Sequence, residues 1–224
     1  MRPFDGAYQR VRRAGIHLTN LNRRANAISQ ARGNLVIIES KPALDRLPDG
    51  TEMPVVSSTM KFPSEIETVP PIISLLVGEI IYNLRAALDY LIYDLARLDS
   101  GQVVKRTQFP IEDTVDKFER RRNTFLKGVS DEHVAAITRL QPCDGCNWTK
   151  ALASISNPDK HRHLTVFRSP VYITPSLGSA EPIIAIYIAF NDGTLVIDTL
   201  KQLKLKVAKT LDAFKLEFIG SFRQ

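Results

Sequence analysis

Apolar positions recur with a helical period near both ends of the chain and in its middle. Over residues 7–32 they fall every three or four residues, on one side of a predicted helix. The pattern returns over 72–98, between the Pro70-Pro71 pair and Gly101, and predicts a long central helix. Further helices are predicted over 115–126, 131–140, 148–155 and 200–218.

Runs rich in aliphatic and β-branched residues predict strands over 35–38, 54–62, 164–174, 183–190 and 194–197. Turn residues stand at 48–50 and 191–193. Neither an internal repeat nor a linker interrupts the pattern. We therefore expect a single domain over 1–224 of the α+β class, with a mainly helical core, a long central helix and a small antiparallel sheet.

The composition, 44% hydrophobic and 24% charged, is that of an ordinary globular protein. The first residues lack the apolar run of a secretion signal, and the longest apolar stretch, 72–81, is too short to cross a bilayer. Two cysteines do not make a disulfide framework. These features predict a cytoplasmic protein that contacts no membrane and uses no cofactor.

The net charge of +6 is unevenly distributed along the chain. Residues 1–33 carry +6 and residues 199–224 carry +4, while the part between them carries −4. A basic surface of this kind favours a phosphate-rich partner. The predicted nucleic-acid contacts lie opposite the apolar side of the first helix: Arg12, Arg13, Arg23 and Arg24. The alternative is a solvated face that keeps the protein in solution.

Polar and aromatic residues share one ridge of the central helix. Tyr82, Arg85, Asp89 and Tyr93 are three or four residues apart, so they line up, with Asn83 beside them. Tyrosine combines apolar area with a hydroxyl, which suits a ligand cleft or an interface. We expect Tyr82, Asn83, Arg85 and Asp89 to bind a ligand. The alternative is an Arg85–Asp89 ion pair with the tyrosine rings packed beneath a neighbouring segment.

A second polar cluster occupies 157–163, predicted as a turn between a helix and a strand. Asn157, Asp159 and Lys160 complete the predicted ligand site. The candidate catalytic residues are His161 and His163 as general acid and base, with Arg162 stabilising charge on a phosphorane. If the run is extended, His161 and His163 share a face and Arg162 points away. The alternative is a capped turn with its basic residues in solvent.

Cys143 and Cys146 form a C-x2-C pair, with two histidines, His161 and His163, further along the chain. Two thiolates and two imidazoles can bind zinc tetrahedrally. The H-x-H spacing is tighter than that of usual zinc sites, so zinc is the minor alternative and we predict no metal.

Several short motifs are specific only when taken together. They are GEIIYNLRAALD over 78–89, FPI over 109–111, LQP over 140–142 and NPDKHR over 157–162, together with residues 13–14 and His17 on the first predicted helix. Over most of the chain they resemble a widespread family of uncharacterised bacterial proteins, whose members have an aromatic residue where Cys143 stands. The resemblance implies no known reaction, and it implies that the ridge and the turn are family features. The helix content and the Arg12-x4-His17 spacing also resemble HEPN-like proteins, including metal-independent ribonucleases.

We therefore expect the central helix and the 157–163 turn to form one polar site that binds RNA or another phosphate-bearing ligand. Cleavage of that RNA is a further hypothesis, and the sequence does not decide whether the chain is an enzyme. The rival hypothesis is a non-enzymatic protein, a homodimer whose tyrosine-rich ridge is the interface and whose motifs only support the fold.

Overall fold

The computed structural model describes residues 2–33, 36–61, 69–161, 167–168, 171–174 and 183–221. Within these ranges the chain is an α+β protein whose core is mainly helical, as predicted. The helices are α1 (Asp5–Gly33), α2 (Pro71–Ser100), α3 (Val115–Phe125), α4 (Asp131–Thr138), α5 (Asn147–His161) and α6 (Val196–Ser221). The strands are β1 (Ile37–Arg46), β2 (Glu52–Lys61), β3 (Phe167–Arg168), β4 (Val171–Thr174), β5 (Ile183–Ile186) and β6 (Ala189–Phe190).

Helix α2 is the predicted long central helix, and it packs against α1, α5 and α6. It begins at Pro71. A backbone N–H in the first turn has no acceptor within the helix, so the N–H that proline lacks is not missed there. It ends where Gly101 takes a left-handed conformation with a φ of 67°. Most of its aliphatic side chains are buried, so packing adds to its stability on several sides.

By length and composition alone, α2 is also apolar enough to cross a membrane. In its most apolar window, however, 61% of the residues are buried inside the fold. That burial is expected of the core helix of a soluble protein, because the apolar surface already has partners within the chain.

The terminal helices α1 and α6 pack against each other in antiparallel orientation. The hydroxyl of Tyr8 donates to Asp212 Oδ1 at 2.6 Å. Burial, then the Asp212 carboxylate, raise the pKa of Tyr8 well above its usual value, so the hydroxyl keeps its proton. Further along, a Cβ on Gly15 would lie 3.1 Å from Lys204 Cε, the flexible end of a side chain of α6.

Strands β1 and β2 form a hairpin of two ten-residue strands, longer than the predicted runs 35–38 and 54–62. Ile37 pairs with Lys61 at its base, and Arg46 pairs with Glu52 at its tip. The tip is the predicted turn, in which Gly50 has a φ of 84°. The ladder continues through polar positions because cross-strand pairing, rather than a run of apolar residues, fixes its length.

The remaining strands form two separate antiparallel pairs, β3 with β6 and β4 with β5. The predicted turn at 191–193 is confirmed, since the N–H of Gly193 donates to the Phe190 carbonyl at 2.9 Å. The predicted strand over 194–197 is wrong, because α6 begins at Val196. Val196 and Leu200 are buried one helical turn apart, and this helical period outweighs the β-branched run.

The two shorter helices after α2 begin with side-chain caps. Ser130, directly before α4, accepts a hydrogen bond from the backbone N–H of His133. Thr114 accepts one from the N–H of Lys117 and caps α3 in the same way.

Helix α5 is longer than the predicted 148–155 and ends at His161. The predicted turn at 157–163 is therefore wrong as far as residue 161. Leu152 and Ser156 are buried one turn apart, and their packing offsets the backbone bond that Pro158 cannot donate.

Candidate functional site

Arg85 and Asp89, one turn apart on α2, both bind the backbone of Phe109. Nη2 of Arg85 donates to the Phe109 carbonyl at 3.2 Å, and the Phe109 N–H donates to Asp89 Oδ1 at 2.9 Å. The Phe109 ring is fully buried, so this arrangement anchors the segment between α2 and α3.

Arg10 extends from α1 to the same side of α2. Its guanidinium carbon lies 5.8 Å from the centre of the Tyr82 ring and 5.4 Å from that of Tyr90, within the range of cation–π contacts. Nη1 of Arg10 donates to Asn83 Oδ1 at 3.4 Å, and Asn83 Nδ2 donates to the Glu79 carbonyl at 2.7 Å. Asn83, a predicted ligand residue, is buried and positions Arg10.

A cavity of about 370 Å³ opens between α1, α2 and α5. Its volume is within the range of small-ligand sites. It brings three of the predicted ligand residues together with others, and its lining consists of Arg10, Ile81, Tyr82, Arg85, Ala86, Asp89, Tyr90 and Ser156. A second opening of about 370 Å³ shares Asp89 and Tyr90 and adds Tyr93 and Thr107. The predicted ridge is thus the wall of a concave site.

One donor in this wall lacks a partner in the described part of the chain. Arg85 is only 9% exposed, and its Nη1 has no hydrogen-bond acceptor. Burial lowers the pKa of Arg85, and the charge of Asp89 acts in the opposite direction. A buried N–H of a charged group that stays unpaired carries a free-energy cost. An acceptor atom supplied by a ligand would remove that cost.

The Tyr90 ring is held from the other side by the chain start. A Cβ added to Gly6 would lie 2.5 Å from Tyr90 Cδ1, closer than any real side chain approaches. Glycine is therefore required here for the ring to lie against α1. Tyr82 is 59% exposed, Tyr90 40% and Tyr93 38%, so all three rings keep a surface that a ligand can contact.

The second predicted cluster approaches the cavity through α5. Ser156 lines the cavity, and Asn157 follows it directly in the same helix. Asp159 and Lys160 lie one helical turn beyond Ser156, and His161 is the last residue of α5. The backbone is therefore helical where a turn was expected. Arg162 and His163, the other candidate catalytic residues, lie outside the described residues.

The side chains predicted to contact nucleic acid are all exposed on α1: Arg12, Arg13, Arg23 and Arg24. Nε of Arg13 donates to His17 Nε2 at 3.0 Å, and His17 Nε2 lies 3.9 Å from Glu79 Oε2. The side of α1 that carries Arg13 therefore borders α2. The arginine that contacts His17 is Arg13, one residue later than the predicted Arg-x4-His spacing requires.

A serine, a histidine and an aspartate meet where α4 joins α2, a cluster that the sequence predictions omit. Nδ1 of His133 lies 2.7 Å from Asp99 Oδ2 and 3.0 Å from Ser130 Oγ. A catalytic triad needs the serine and the carboxylate on opposite ring nitrogens. Here both contact the same nitrogen, and the Ser130 N–H also donates to Asp99 at 2.8 Å. The cluster therefore joins α4 to the end of α2.

Cys143 and Cys146 are free, partly buried thiols. Burial raises the pKa of Cys143, which disfavours the thiolate that a metal would need. Across the described ranges, no group of three or more His, Cys, Asp or Glu residues is arranged to hold a metal ion. The zinc alternative also required His161 and His163, of which His163 lies outside those ranges.

Comparison of the chain with protein-family models, with curated proteins and with solved structures finds no match. The sequence predictions omit Arg10, Gly6 and Ser156, three residues on which the cavity depends. One signal was present for Arg10, which lies at the border of the apolar side of α1, where a long side chain can reach a neighbouring helix. Gly6 and Ser156 have no comparable signal, because their role depends on contacts between distant segments.

Proposed function

We propose that the chain binds a phosphate-bearing ligand, single-stranded RNA in particular, in the cavity between α1, α2 and α5. The observation that supports this most directly is the unpartnered Nη1 of the buried Arg85, in the wall of a cavity that Arg10 also lines. Guanidinium groups form strong charge-assisted hydrogen bonds with phosphate oxygens.

The charges of the lining favour an anion. Arg10 and Arg85 contribute two positive charges, and Asp89 is the acidic residue of the lining. The Asp89 carboxylate already accepts the N–H of Phe109, so part of its charge is engaged. A phosphate in the cavity would neutralise a net positive charge and supply acceptors to buried donors.

The aromatic residues favour a nucleotide over inorganic phosphate. Tyr82 and Tyr90 flank Arg10 and keep exposed ring surface. Nucleobases of single-stranded RNA stack on tyrosine rings and on arginine planes, and each stacked base contributes about 1–3 kcal/mol. The Tyr–Arg–Tyr arrangement can therefore bind a base next to the phosphate that Arg10 contacts.

The test is fluorescence anisotropy at low salt with a labelled single-stranded RNA. We expect Arg10→Ala to weaken binding about tenfold or more, because it loses a phosphate contact and the support of both tyrosine rings. Arg120→Ala is the matched control, since Arg120 is exposed on α3 and lines neither opening of the site. Equal losses in the two variants, or wild-type protein without RNA affinity, would contradict the proposal.

Gly6→Ala tests the aromatic part of the site separately. It displaces the Tyr90 ring without changing charge, so we expect a severalfold loss of RNA affinity but a smaller loss for inorganic phosphate. Gly15→Ala on the same helix is its control, because the added Cβ meets only the flexible end of Lys204.

Cleavage by His161 and His163 stays a prediction of the sequence. Its readout is the loss of RNA cleavage in His161→Ala with RNA affinity unchanged.

A further inference from the structure

The β1–β2 hairpin, residues 37–61, is an arm without a partner in the described part of the fold. Leaving aside Ser40, Val56 and Ser58, none of its side chains belongs to the hydrophobic core or packs against it. Leu44, on the face described next, is 67% exposed. A two-stranded hairpin alone is marginally stable in water, so a long one that lies outside the core is expected to gain stability from a partner.

The arm has a more apolar face and a more charged face. By the pairing register, alternate residues place Ile38, Pro42, Leu44, Pro54 and Met60 on the same side, with the Arg46–Glu52 pair at its tip. The opposite side carries four charged residues, Glu39, Lys41, Asp45 and Lys61, beside the apolar Ile37, Met53 and Val55, and Lys61 Nζ lies 2.6 Å from Glu39 Oε1. An amphipathic hairpin of this kind covers an apolar surface with one face and leaves the other in water.

Two prolines argue against the addition of a third strand at either edge. Pro42 pairs with Val56, and Leu44 pairs with Pro54. In an antiparallel pair of strands, every second residue pair exchanges no backbone hydrogen bonds, and its amides point to the outer edges. Because proline has no N–H to donate, Pro42 and Pro54 belong to pairs of this kind. Each outer edge therefore lacks a donor, which disfavours edge-to-edge pairing. The apolar face is the remaining surface for association.

The charge of the arm argues against nucleic acid as its partner. Over 37–61 the arm has three basic and four acidic side chains, so it is close to neutral. A polyanion gains little from such a surface, because phosphate contacts need lysine and arginine. A second protein surface with exposed apolar side chains is the chemically matching partner.

The outer face of α2 has the matching chemistry and length. Ile72, Leu75, Tyr82, Tyr90 and Tyr93 fall on one side of the helix, each at least 37% exposed, and the exposed Glu79 lies among them. From Ile72 to Tyr93 this face is about 32 Å long at 1.5 Å per residue. A strand of ten residues is about 34 Å long at 3.4 Å per residue.

We propose that the chain forms a two-fold dimer in which the apolar face of each arm covers the outer face of the other copy's α2. One arm face measures about 34 by 10 Å, or about 340 Å². Reciprocal docking buries an arm and a helix face on each copy, about 700 Å², close to the roughly 800 Å² per partner of stable complexes. Packing of the two arms on each other alone would bury only half of that area.

Because Tyr82 and Tyr90 also line the cavity, the docked arm covers the cavity of the other copy, and RNA competes with the arm. The dimer does not depend on ligand binding, and its test uses no RNA. The two proposals can therefore fail separately.

The experiment is sedimentation velocity over about 1–100 μM protein without RNA. We expect a wild-type dimer, and we expect Leu44→Lys on the arm and Leu75→Lys on α2 each to raise the dissociation constant at least tenfold. Met53→Lys, on the charged face of the arm, and Leu205→Lys, on an exposed position of α6, are matched controls that leave it unchanged. A mixture of Leu44→Lys with Leu75→Glu should recover dimer, because one wild-type contact and one Lys–Glu contact then remain.

Three results would overturn the proposal: a wild-type monomer at the highest concentration, a dimer insensitive to Leu44→Lys, or a dimer insensitive to Leu75→Lys. The last would exclude α2 as the partner surface. Circular dichroism of each variant checks that the helical core is intact, which separates dissociation from unfolding.

Discussion

At the start of the chain, Phe4 combines an unfavourable backbone conformation with complete burial. It has a φ of 68°, although it is not glycine, and its ring is only 1% exposed. Positive φ in such a residue costs about 1 kcal/mol or more. The N–H of Phe4 donates to Asp94 Oδ2 on α2 at 2.7 Å, and this bond together with the ring's burial offsets the cost. Asp94 thus fixes the position of the segment that precedes Gly6.

Asp94 gives the protein a predictable pH dependence. Burial raises the pKa of its carboxyl, and the Phe4 N–H and Arg97 only partly counteract that effect. A carboxyl with a raised folded-state pKa contributes most to stability below its unfolded pKa of about 3.9, and that contribution falls as the pH rises through the folded value. We therefore expect the stability of Asp94→Asn, relative to wild type, to increase between about pH 3 and pH 7.

Urea unfolding of both proteins at several pH values measures this difference. Asp198→Asn is the control, because Asp198 is exposed and its contact is a surface pair with Lys201. A relative stability of Asp94→Asn that falls as the pH rises would show that the carboxylate is favoured in the folded state, contrary to the expected direction.

Among the elements, α4 depends on a polar contact rather than on a large apolar face. Asp99 at the end of α2 accepts a hydrogen bond from the Ser130 N–H and contacts Nδ1 of His133. The side chains of Asp99 and His133 are both largely buried. Removal of the carboxylate leaves the Ser130 N–H without its acceptor and removes the shorter contact of the His133 imidazole. We expect Asp99→Ala to lower the free energy of unfolding by about 1–3 kcal/mol.

The matched variant for that measurement is Asp131→Ala. Asp131 is in the same segment and contacts Arg122, but its side chain is 98% exposed, so we expect a loss below about 1 kcal/mol. Equal losses by urea unfolding would indicate that Asp99 contributes only surface electrostatics.

The elements that the sequence predicts well are those whose signals are local. Pro71 and Gly101 mark the ends of α2, and Ser130 marks the start of α4, because each acts through its own backbone geometry. The strand expected at 194–197 and the turn expected after residue 155 are wrong for a shared reason. In both segments, burial against distant helices decides the conformation, and local propensity does not contain that information.

For the whole molecule, periodicity was sufficient to align Tyr82, Arg85 and Asp89, and the cavity confirms that they lie together. Periodicity does not reveal that Phe109 receives the bonds of Arg85 and Asp89, because about 20 residues of intervening chain must fold back first. Nor does it reveal Arg10, which joins the site only when α1 packs beside α2. Contacts between distant segments set the composition of this site, so only the residues that α2 contributes to it can be predicted from the sequence.

If RNA binds in the cavity, the geometry of α1 determines the direction in which the strand continues. Arg10 and Arg13 border α2, and the helical period places Arg24 on the same side. Arg12 and Arg23 lie on the other side of α1. A strand that leaves the cavity along the first side meets Arg13 and Arg24 and avoids the other pair.

Salt dependence distinguishes the two sides. For single-stranded RNA, the slope of log K against log salt is about −0.7 per neutralised phosphate. We expect Arg13→Ala with Arg24→Ala to reduce the steepness of the slope by about 1.4, and Arg12→Ala with Arg23→Ala to leave it nearly unchanged. Binding of a mononucleotide, which fills only the cavity, should be insensitive to either pair. Equal slopes for the two double variants would mean that the RNA does not follow this side of α1, and a flat wild-type slope would mean that phosphate contacts do not drive binding.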